Sequence, residues 1–297
     1  VGLINNTSKD TRLTYCTTGV LLQRLVRDKH MNDYTHIIID EIHERDQDMD
    51  FLLLIVRKFL RTNSRGVRVI LMSATFNVKK FADYFSFYVG KQLIPAPSVD
   101  ITKTNQFTIH EFYLDDIPSL GDRPSVSGDE PGISKPMMEL SLSLMKILDR
   151  VDDEPGRDNE KISRPAVLVF LPGIHEIEEL YNLMDTPNNN VNKWDILVLH
   201  SSITHEEQEK IFTPPPNDHR RIILSTNIAE SSLTVPNVKY VIDFCLTKQQ
   251  IIDPSTNFHS LELTWASKAN CAQRAGRTGR VMDGRVYRLV SKSFYEQ

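Results

Sequence analysis

The stretch Thr35-His36-Ile37-Ile38-Ile39-Asp40-Glu41-Ile42-His43 decides the fold. Its apolar, β-branched part runs without alternation, which predicts a strand buried on both faces of a parallel sheet. The strand ends in two carboxylates, Asp40 and Glu41, at the sheet edge where α/β proteins bind ligands. One carboxylate there can hold Mg²⁺ through water, and the next can orient and deprotonate an attacking water. An Asp-Glu pair alone is more often an exposed strand end, so its neighbours decide.

A second strand is predicted at residues 67–72, and helical spacing of apolar residues between positions 49 and 60 predicts a helix between the two strands. Ser73-Ala74-Thr75 closes the second strand. In a parallel sheet this strand can lie beside the first, which would bring the hydroxyls of Ser73 and Thr75 near the carboxylates. The local alternatives for Ser-Ala-Thr are a plain strand end or a helix cap.

The same alternation of apolar runs and helical segments returns in the second half of the chain. Four more strands are predicted, at residues 166–171, 195–199, 221–225 and 238–242. Two tandem α/β domains, each a mostly parallel sheet flanked by helices, account for both series. The proline-containing connector at 93–108 predicts domains at 1–104 and 105–297, the second with polar surface insertions near 116–135 and 149–164.

The composition indicates a globular protein of ordinary kind. The chain has 297 residues, of which 40% are hydrophobic and 25% charged, and its most apolar stretch, at 51–56, is too short to cross a bilayer. The first residue is Val1 and no signal peptide opens the chain, which suggests a piece of a longer protein. Three distant cysteines argue against a disulfide framework or a zinc site and favour a reducing compartment. The net charge of −4 implies that any nucleic-acid contact is local.

The segment Gln273-Arg274-Ala275-Gly276-Arg277-Thr278-Gly279-Arg280 carries three arginines separated by glycine. Guanidinium groups on a tightly turning backbone suit a concentrated negative charge such as a phosphate. A solvated basic face is the ordinary alternative for a charge run, but such a face rarely needs two internal glycines.

A second polar segment, Thr226-Asn227-Ile228-Ala229-Glu230-Ser231-Ser232-Leu233-Thr234, follows the strand that ends at Ser225. Its hydroxyls, amides and backbone N–H groups can hydrogen-bond to phosphate and ribose. Taken alone, it is equally a polar loop with a helix cap.

These motifs, in this order, resemble the DEAH-box branch of the superfamily 2 helicases. The resemblance also includes Thr17-Thr18-Gly19-Val20-Leu21-Leu22 and Phe170-Leu171-Pro172-Gly173, so six motifs span almost the whole chain. Two further phrases, Leu60-Arg61-Thr62-Asn63-Ser64-Arg65 and Leu263-Thr264-Trp265-Ala266-Ser267-Lys268, resemble the spindle-E type of Tudor-domain helicase of the germline piRNA pathway.

The resemblance implies two RecA-like lobes that bind ATP, with the first lobe truncated at its N-terminus. Asp40 would position Mg²⁺, Glu41 would activate water, and His43 would connect the nucleotide site to the other lobe. Ser73 and Thr75 would couple hydrolysis to lobe movement. In the second lobe, the ring of Phe212 would stack on the nucleotide base. Arg277 and Arg280 would serve as arginine fingers on the γ-phosphate, with Gln273 beside them. An ordinary core position is the alternative for Phe212.

The resemblance also implies contacts with single-stranded RNA, made to its backbone. The matching positions are Thr18, Gly19, Ser201, Ser202, Thr226 and Asn227. Contacts of this kind hold a strand without reading its sequence. The segment 248–263 matches a β-hairpin that the family uses to separate strands.

The sequence departs from the family pattern at three points. No Gly-x-x-x-x-Gly-Lys-Ser/Thr loop occurs in it, so we expect that the chain alone neither binds ATP tightly nor hydrolyses it. Cys245 stands where the family usually has glycine, and Asp46 stands where it usually has Thr or Ser.

The expected function is that of an ATP-dependent RNA helicase or RNP remodeller in piRNA-mediated silencing, with piRNA-pathway proteins as partners. Its expected location is the cytoplasm, in germline ribonucleoprotein granules, without membrane contact. The alternatives are an ATP-gated RNA clamp that does not unwind, and a DNA helicase.

Overall fold

The structure, a computed structural model, describes residues 7–73, 78–101, 107–117, 128, 130–153, 164–185, 193–231 and 234–297. The chain divides into two compact units, Val1–Thr102 and Lys103–Gln297. Among the described residues, no helix combines the length and the apolar content needed to cross a bilayer.

The first unit has a parallel pair of strands with helices before, between and after them. Its elements are α1 (Thr18–Asp28), β1 (His36–Ile39), α2 (Gln47–Arg61), β2 (Arg68–Leu71), α3 (Val78–Tyr84), β3 (Phe87–Val89) and β4 (Gln92–Ile94). The register of β1 and β2 pairs Ile39 with Leu71, so the two strands end side by side. The predicted helix and both predicted strands are therefore confirmed.

One face of the β1–β2 pair is buried and the other is exposed. Ile37 and Ile39 lie in a core with apolar residues of α1 and α2, among them Leu25 and Val56. On the opposite face, Ile38 is 55% exposed. Burial of β1 on both faces was thus a wrong prediction for this structure, because the apolar core of the described residues covers one face only.

The second unit is built on a six-stranded sheet in which every adjacent pair is parallel, in the order β5-β12-β9-β6-β8-β7. Its strands are β5 (Ile109–Tyr113), β6 (Ala166–Phe170), β7 (Trp194–Leu199), β8 (Arg220–Ser225), β9 (Val238–Asp243) and β12 (Gly284–Arg288). Its helices are α4 (Lys135–Asp153), α5 (Ile174–Met184), α6 (His205–Glu209), α7 (Ile228–Ser231), α8 (Lys268–Ala275) and α9 (Lys292–Glu296).

The inner strands of this sheet are buried on both faces, as their unbroken apolar runs predict. In β6, Val167 and Val169 belong to one core cluster, whereas Leu168 and Phe170 belong to another. The two cores lie on opposite faces because side chains alternate along a strand. All four strands predicted for this unit are confirmed to within one or two residues.

A β-hairpin, β10 (Leu246–Ile252) and β11 (His259–Trp265), follows β9. Its antiparallel register pairs Leu246 with Trp265 at the base and Ile252 with His259 near the tip. The hairpin predicted at 248–263 is therefore present.

The polar segment 149–164 is only partly a surface insertion. Its first residues close α4, and Asp149 is buried. The Asp149 carboxylate lies 2.5 Å from Arg220 Nε and accepts a hydrogen bond from Trp194 Nε1 at 2.5 Å. The expectation of a surface segment was wrong for these residues, because partners far along the chain compensate their charge. Residues 118–127, 129 and 154–163 lie outside the described residues.

Candidate functional site

The two carboxylates of the first unit lie where β1 ends. Asp40 is exposed, and its Oδ1 accepts a hydrogen bond from the backbone N–H of Glu41 at 2.8 Å. Glu41 has a φ of 52°, and its Oε2 lies 3.3 Å from His43 Nδ1. The left-handed turn at Glu41 therefore brings its carboxylate onto the imidazole of His43, which is only 9% exposed.

The end of β2 lies beside these groups. Met72 N–H donates to Ile39 O at 2.8 Å, and Ile42 N–H donates to Met72 O at 3.2 Å. Ser73 is half-buried and follows directly, so the structure brings it to the edge that carries Asp40. Thr75, which the sequence assigns to the same edge, lies outside the described residues.

The loop after the acidic pair continues into α2. The Asp46 side chain caps this helix by accepting a hydrogen bond from Met49 N–H at 2.7 Å. Asp, Ser and Thr can all cap a helix in this way, so Asp46 can serve as the cap where the family usually has Thr or Ser. Thr18 begins α1, and a Cβ on Gly19 would lie 2.6 Å from the Asp48 carboxylate.

In the second unit, the four predicted RNA-contacting residues lie at the carboxyl ends of adjacent strands. The register of β7 and β8 pairs Leu199 with Ser225, and Thr226 N–H donates to Leu199 O at 3.1 Å. Ser201, Ser202 and Asn227 are exposed, and Thr226 is partly so. The structure therefore brings these residues to one edge, although a stretch of chain separates the two pairs.

The arginine segment begins on α8 and continues beyond its C-terminus. Gly276 ends the helix, and Gly279 takes a φ of 69°, in the left-handed region. Arg277 is half-buried and donates from Nη2 to the backbone carbonyl of Glu230. Arg280 is exposed and donates from Nη1 to Thr234 Oγ1 at 3.1 Å. Gln273 is partly exposed on the same helix.

A buried charged network beneath this segment was not foreseen from the sequence. Arg274 donates to Glu230 Oε2 at 3.1 Å and to Asp243 Oδ1 at 2.8 Å. Arg288 lies on the other side of Asp243, with 3.4 Å between Nη1 and Oδ2. The sequence gives only a weak signal for such a network, because a charged residue inside a motif can equally contact a ligand or form a buried ion pair.

Phe212 is 56% exposed, so the alternative of an ordinary core phenylalanine does not hold. It ends a short 3-10 helix, Lys210–Phe212. Arg221, on β8, donates from Nη1 to Lys210 O at 3.1 Å, to Ile211 O at 2.9 Å and to Thr213 O, and it pairs with Asp195 at 2.6 Å. The guanidinium thus holds the turn that presents the exposed ring.

The base of the hairpin is tied to the motif at residues 170–173. Lys248 Nζ lies 3.1 Å from Glu176 Oε2, and a Cβ on Gly173 would lie 2.4 Å from the same Nζ. Glycine therefore leaves room for an ion pair that links the hairpin to α5.

Two of the three cysteines come together despite their distance in sequence. Ligand atoms of Cys245, Cys271 and Asp243 lie within 4.8 Å of one another. A hydrogen bond with Cys271, and then burial, raise the pKa of the Cys245 thiol. The Asp243 carboxylate is already occupied by the two arginines, which argues against a cation there. Cys245 has a φ of 58°, which explains a preference for glycine at this position.

Comparisons with known proteins match both units. The family model "DEAD/DEAH box helicase" matches residues 3–84, and the model "Helicase conserved C-terminal domain" matches residues 144–282. The chain belongs to the DEAD/DEAH-box helicases. Among solved structures, the Escherichia coli DEAH/RHA helicase HrpB superposes with a TM-score of 0.70 at 23% identity, covering 94% of this chain and 31% of HrpB. The two units are thus RecA-like helicase domains, as expected.

The curated relatives of this helicase chain are much longer. The "Probable ATP-dependent RNA helicase spindle-E" of Aedes aegypti is 48% identical over 302 residues, and the "ATP-dependent RNA helicase TDRD9" of Rattus norvegicus is 48% identical over 305 residues. Each alignment covers 100% of this chain and 22% of the relative. The chain therefore spans about a fifth of the length of these proteins.

Proposed function

We propose that this chain is the motor segment of an ATP-dependent RNA helicase or RNP remodeller, which couples ATP hydrolysis to movement on single-stranded RNA. The observation that carries the proposal is the acidic edge of the first unit. There Asp40 is exposed, and Glu41 is held 3.3 Å from His43 by a left-handed turn. A clamp that never hydrolyses ATP would not need a carboxylate oriented in this way.

The acidic edge fits magnesium nucleotide. Carboxylate oxygens are the ligands that Mg²⁺ prefers, and Asp40 presents its carboxylate to solvent. When bound, the ion would neutralise charge on the phosphates. Asp40 would hold it through water, and Glu41 would accept the proton of the attacking water. His43 keeps the Glu41 carboxylate in place. Ser73 and Thr75 would couple hydrolysis at this edge to movement of the lobes.

The second unit would supply the positive charge and the RNA contacts. Arg277 and Arg280 would stabilise charge that develops on the γ-phosphate, with Gln273 beside them, and Phe212 would stack on the base. Ser201, Ser202, Thr226 and Asn227 would hold the RNA backbone, and Thr18 and Gly19 would do so in the first unit. The hairpin would separate strands ahead of the motor.

The test uses a protein that contains this chain together with a phosphate-binding loop. Glu41→Gln should reduce RNA-stimulated hydrolysis by about 100-fold or more, while ATP binding and RNA binding stay within about twofold. Glu44→Gln, an exposed neighbour in the same loop, is the matched control and should hydrolyse ATP normally. Normal hydrolysis by Glu41→Gln would refute the assigned role. A variant that fails to hydrolyse ATP but keeps its biological function would favour the RNA clamp.

We further propose that the protein acts in germline piRNA silencing, in cytoplasmic ribonucleoprotein granules and with proteins of that pathway. The identity of 44–48% to spindle-E and TDRD9 proteins supports this assignment. The test is whether piRNA levels and granule localisation fail when the gene is disrupted and return with the intact gene. Unwinding assays on matched RNA and DNA duplexes separate an RNA helicase from a DNA helicase.

A further inference from the structure

Glu230 lies where the RNA-contacting loop and the arginine segment meet. It is 4% exposed, on the short helix α7 that follows Thr226 and Asn227. Its backbone N–H donates to Asn227 O at 2.8 Å, and the preceding Ala229 N–H contacts Thr226 O at 3.4 Å. A displacement of Asn227 therefore acts directly on the backbone of Glu230, and a displacement of Thr226 acts on it through Ala229.

The other groups of Glu230 hold the arginine segment. Its Oε2 accepts from Arg274 Nε at 3.1 Å, its Oε1 accepts from Asn270 Nδ2, and its backbone carbonyl accepts from Arg277 Nη2. Asn270 and Arg274 are four residues apart on α8, which places them on one side of the helix, and Arg277 follows just beyond its end. The side chain and backbone of Glu230 thus hold α8 and the arginine segment at three points.

These contacts are rigid for an electrostatic reason. Arg274 is 1% exposed and is shared between Glu230 and Asp243. A buried charge that loses its partner is costly, so the ion pairs resist separation when the loop moves. The loop, Glu230 and α8 therefore move together instead of independently.

From this geometry we propose that Glu230 is a positioning residue that transmits RNA occupancy at Thr226 and Asn227 to the orientation of Arg277. The proposal rests on the proposed function, in which the loop binds RNA and Arg277 contacts the γ-phosphate. If so, the stimulation of ATP hydrolysis by RNA depends on Glu230, although Glu230 contacts neither RNA nor ATP.

A first experiment uses this chain and a 12-nucleotide oligouridylate. RNA binding is measured by fluorescence anisotropy, and hydrogen exchange of peptides that cover α8 and residues 276–280 is measured with and without RNA. RNA should slow exchange in these peptides by about threefold or more in the unmodified chain. Glu230→Gln should bind RNA within about twofold of the original affinity and lose most of this slowing.

The matched control is Asp152→Asn, which also neutralises a buried carboxylate. Asp152 accepts from Arg220 and Tyr240 at 2.8 Å and from Lys239 at 2.7 Å, at the end of α4. This variant should keep the slowing of exchange on RNA binding. The proposal is overturned if Glu230→Gln keeps the slowing, or if Asp152→Asn loses it equally. If the unmodified chain binds no RNA, the proposed function fails, and the proposal fails with it.

A second readout uses a protein that contains this chain and hydrolyses ATP. Glu230→Gln should leave turnover without RNA and the KM for ATP within about twofold, and lower the stimulation by saturating RNA about fivefold or more. An equal loss of turnover with and without RNA would reduce Glu230 to a structural support of Arg277 and overturn the proposed coupling.

Discussion

Gly279→Ala tests whether the arginine segment depends on a left-handed glycine. Gly279 has a φ of 69°, a conformation that costs a residue with a Cβ about 1–2 kcal/mol. An added Cβ would also lie 2.5 Å from Ile109 Cγ1 and 2.9 Å from Ile109 Cδ1. Overpacking of this kind costs about 1–3 kcal/mol, so the substitution should lower the free energy of unfolding of the second unit by about 2–5 kcal/mol.

The assay is denaturant unfolding of a double-mutant cycle with Ile109→Ala. That change removes both colliding carbons and leaves Ile109 Cβ at 3.9 Å, an ordinary contact. The coupling free energy should therefore equal the steric part alone, about 1–3 kcal/mol. Gly90→Ala is the matched control for backbone strain, because Gly90 has a φ of 63° and no atom within 4 Å of the added Cβ. A coupling energy of zero, or equal losses from Gly279→Ala and Gly90→Ala, would refute the reasoning.

Three further changes test separate parts of the structure. In a protein that contains this chain together with a phosphate-binding loop, Phe212→Ala should leave stability unchanged but weaken binding of a fluorescent ATP analogue by about tenfold, since stacking contributes about 1–3 kcal/mol. Phe258, in the hairpin tip, is also exposed, and Phe258→Ala should bind the analogue normally. Hydrogen bonds from Ser255 lower the pKa of Asp253 to about 2, so this carboxylate stabilises the hairpin tip above pH of about 4 and the contribution is lost as the pH falls through about 2. An NMR titration of the Ser255 amide should follow that transition, and a midpoint near 4 would contradict it. Asp46→Ala should destabilise the first unit by about 1 kcal/mol and Asp46→Ser should not, measured by thermal unfolding.

The strands of the second unit could be predicted because local sequence determines them. Unbroken apolar runs such as Val167–Phe170 report burial on both faces, and both faces of that sheet are covered. The same pattern at β1 predicted burial on both faces, but only one face of that strand is buried. A run of isoleucines does not show whether neighbouring elements cover one face of the strand or both. Ile38 is exposed although it lies between two buried isoleucines.

The polar interior could not be predicted in the same way. Asp149 and Asp152 lie in a segment with the composition of a surface loop, yet Arg220 and Lys239 compensate their charge from strands far along the chain. Ion pairs between distant residues leave no periodic signal in either partner. The candidate site residues, by contrast, could be proposed from the sequence because motifs at strand ends are short, local and rich in carboxylates, hydroxyls and arginines.

The buried ion pairs of the second unit are better explained by the positions they fix than by the stability they add. Asp243 is fully buried between Arg274 and Arg288, and Arg288 also lies 3.1 Å from Glu111. Apolar residues of similar volume stabilise a core as well as such pairs do, so stability alone does not account for them. An apolar contact, however, tolerates sliding, whereas each guanidinium here must match specific carboxylate oxygens. The network therefore holds α8 at one register on the sheet, and through Glu230 it gives the arginine segment a defined position relative to the loop at the end of β8.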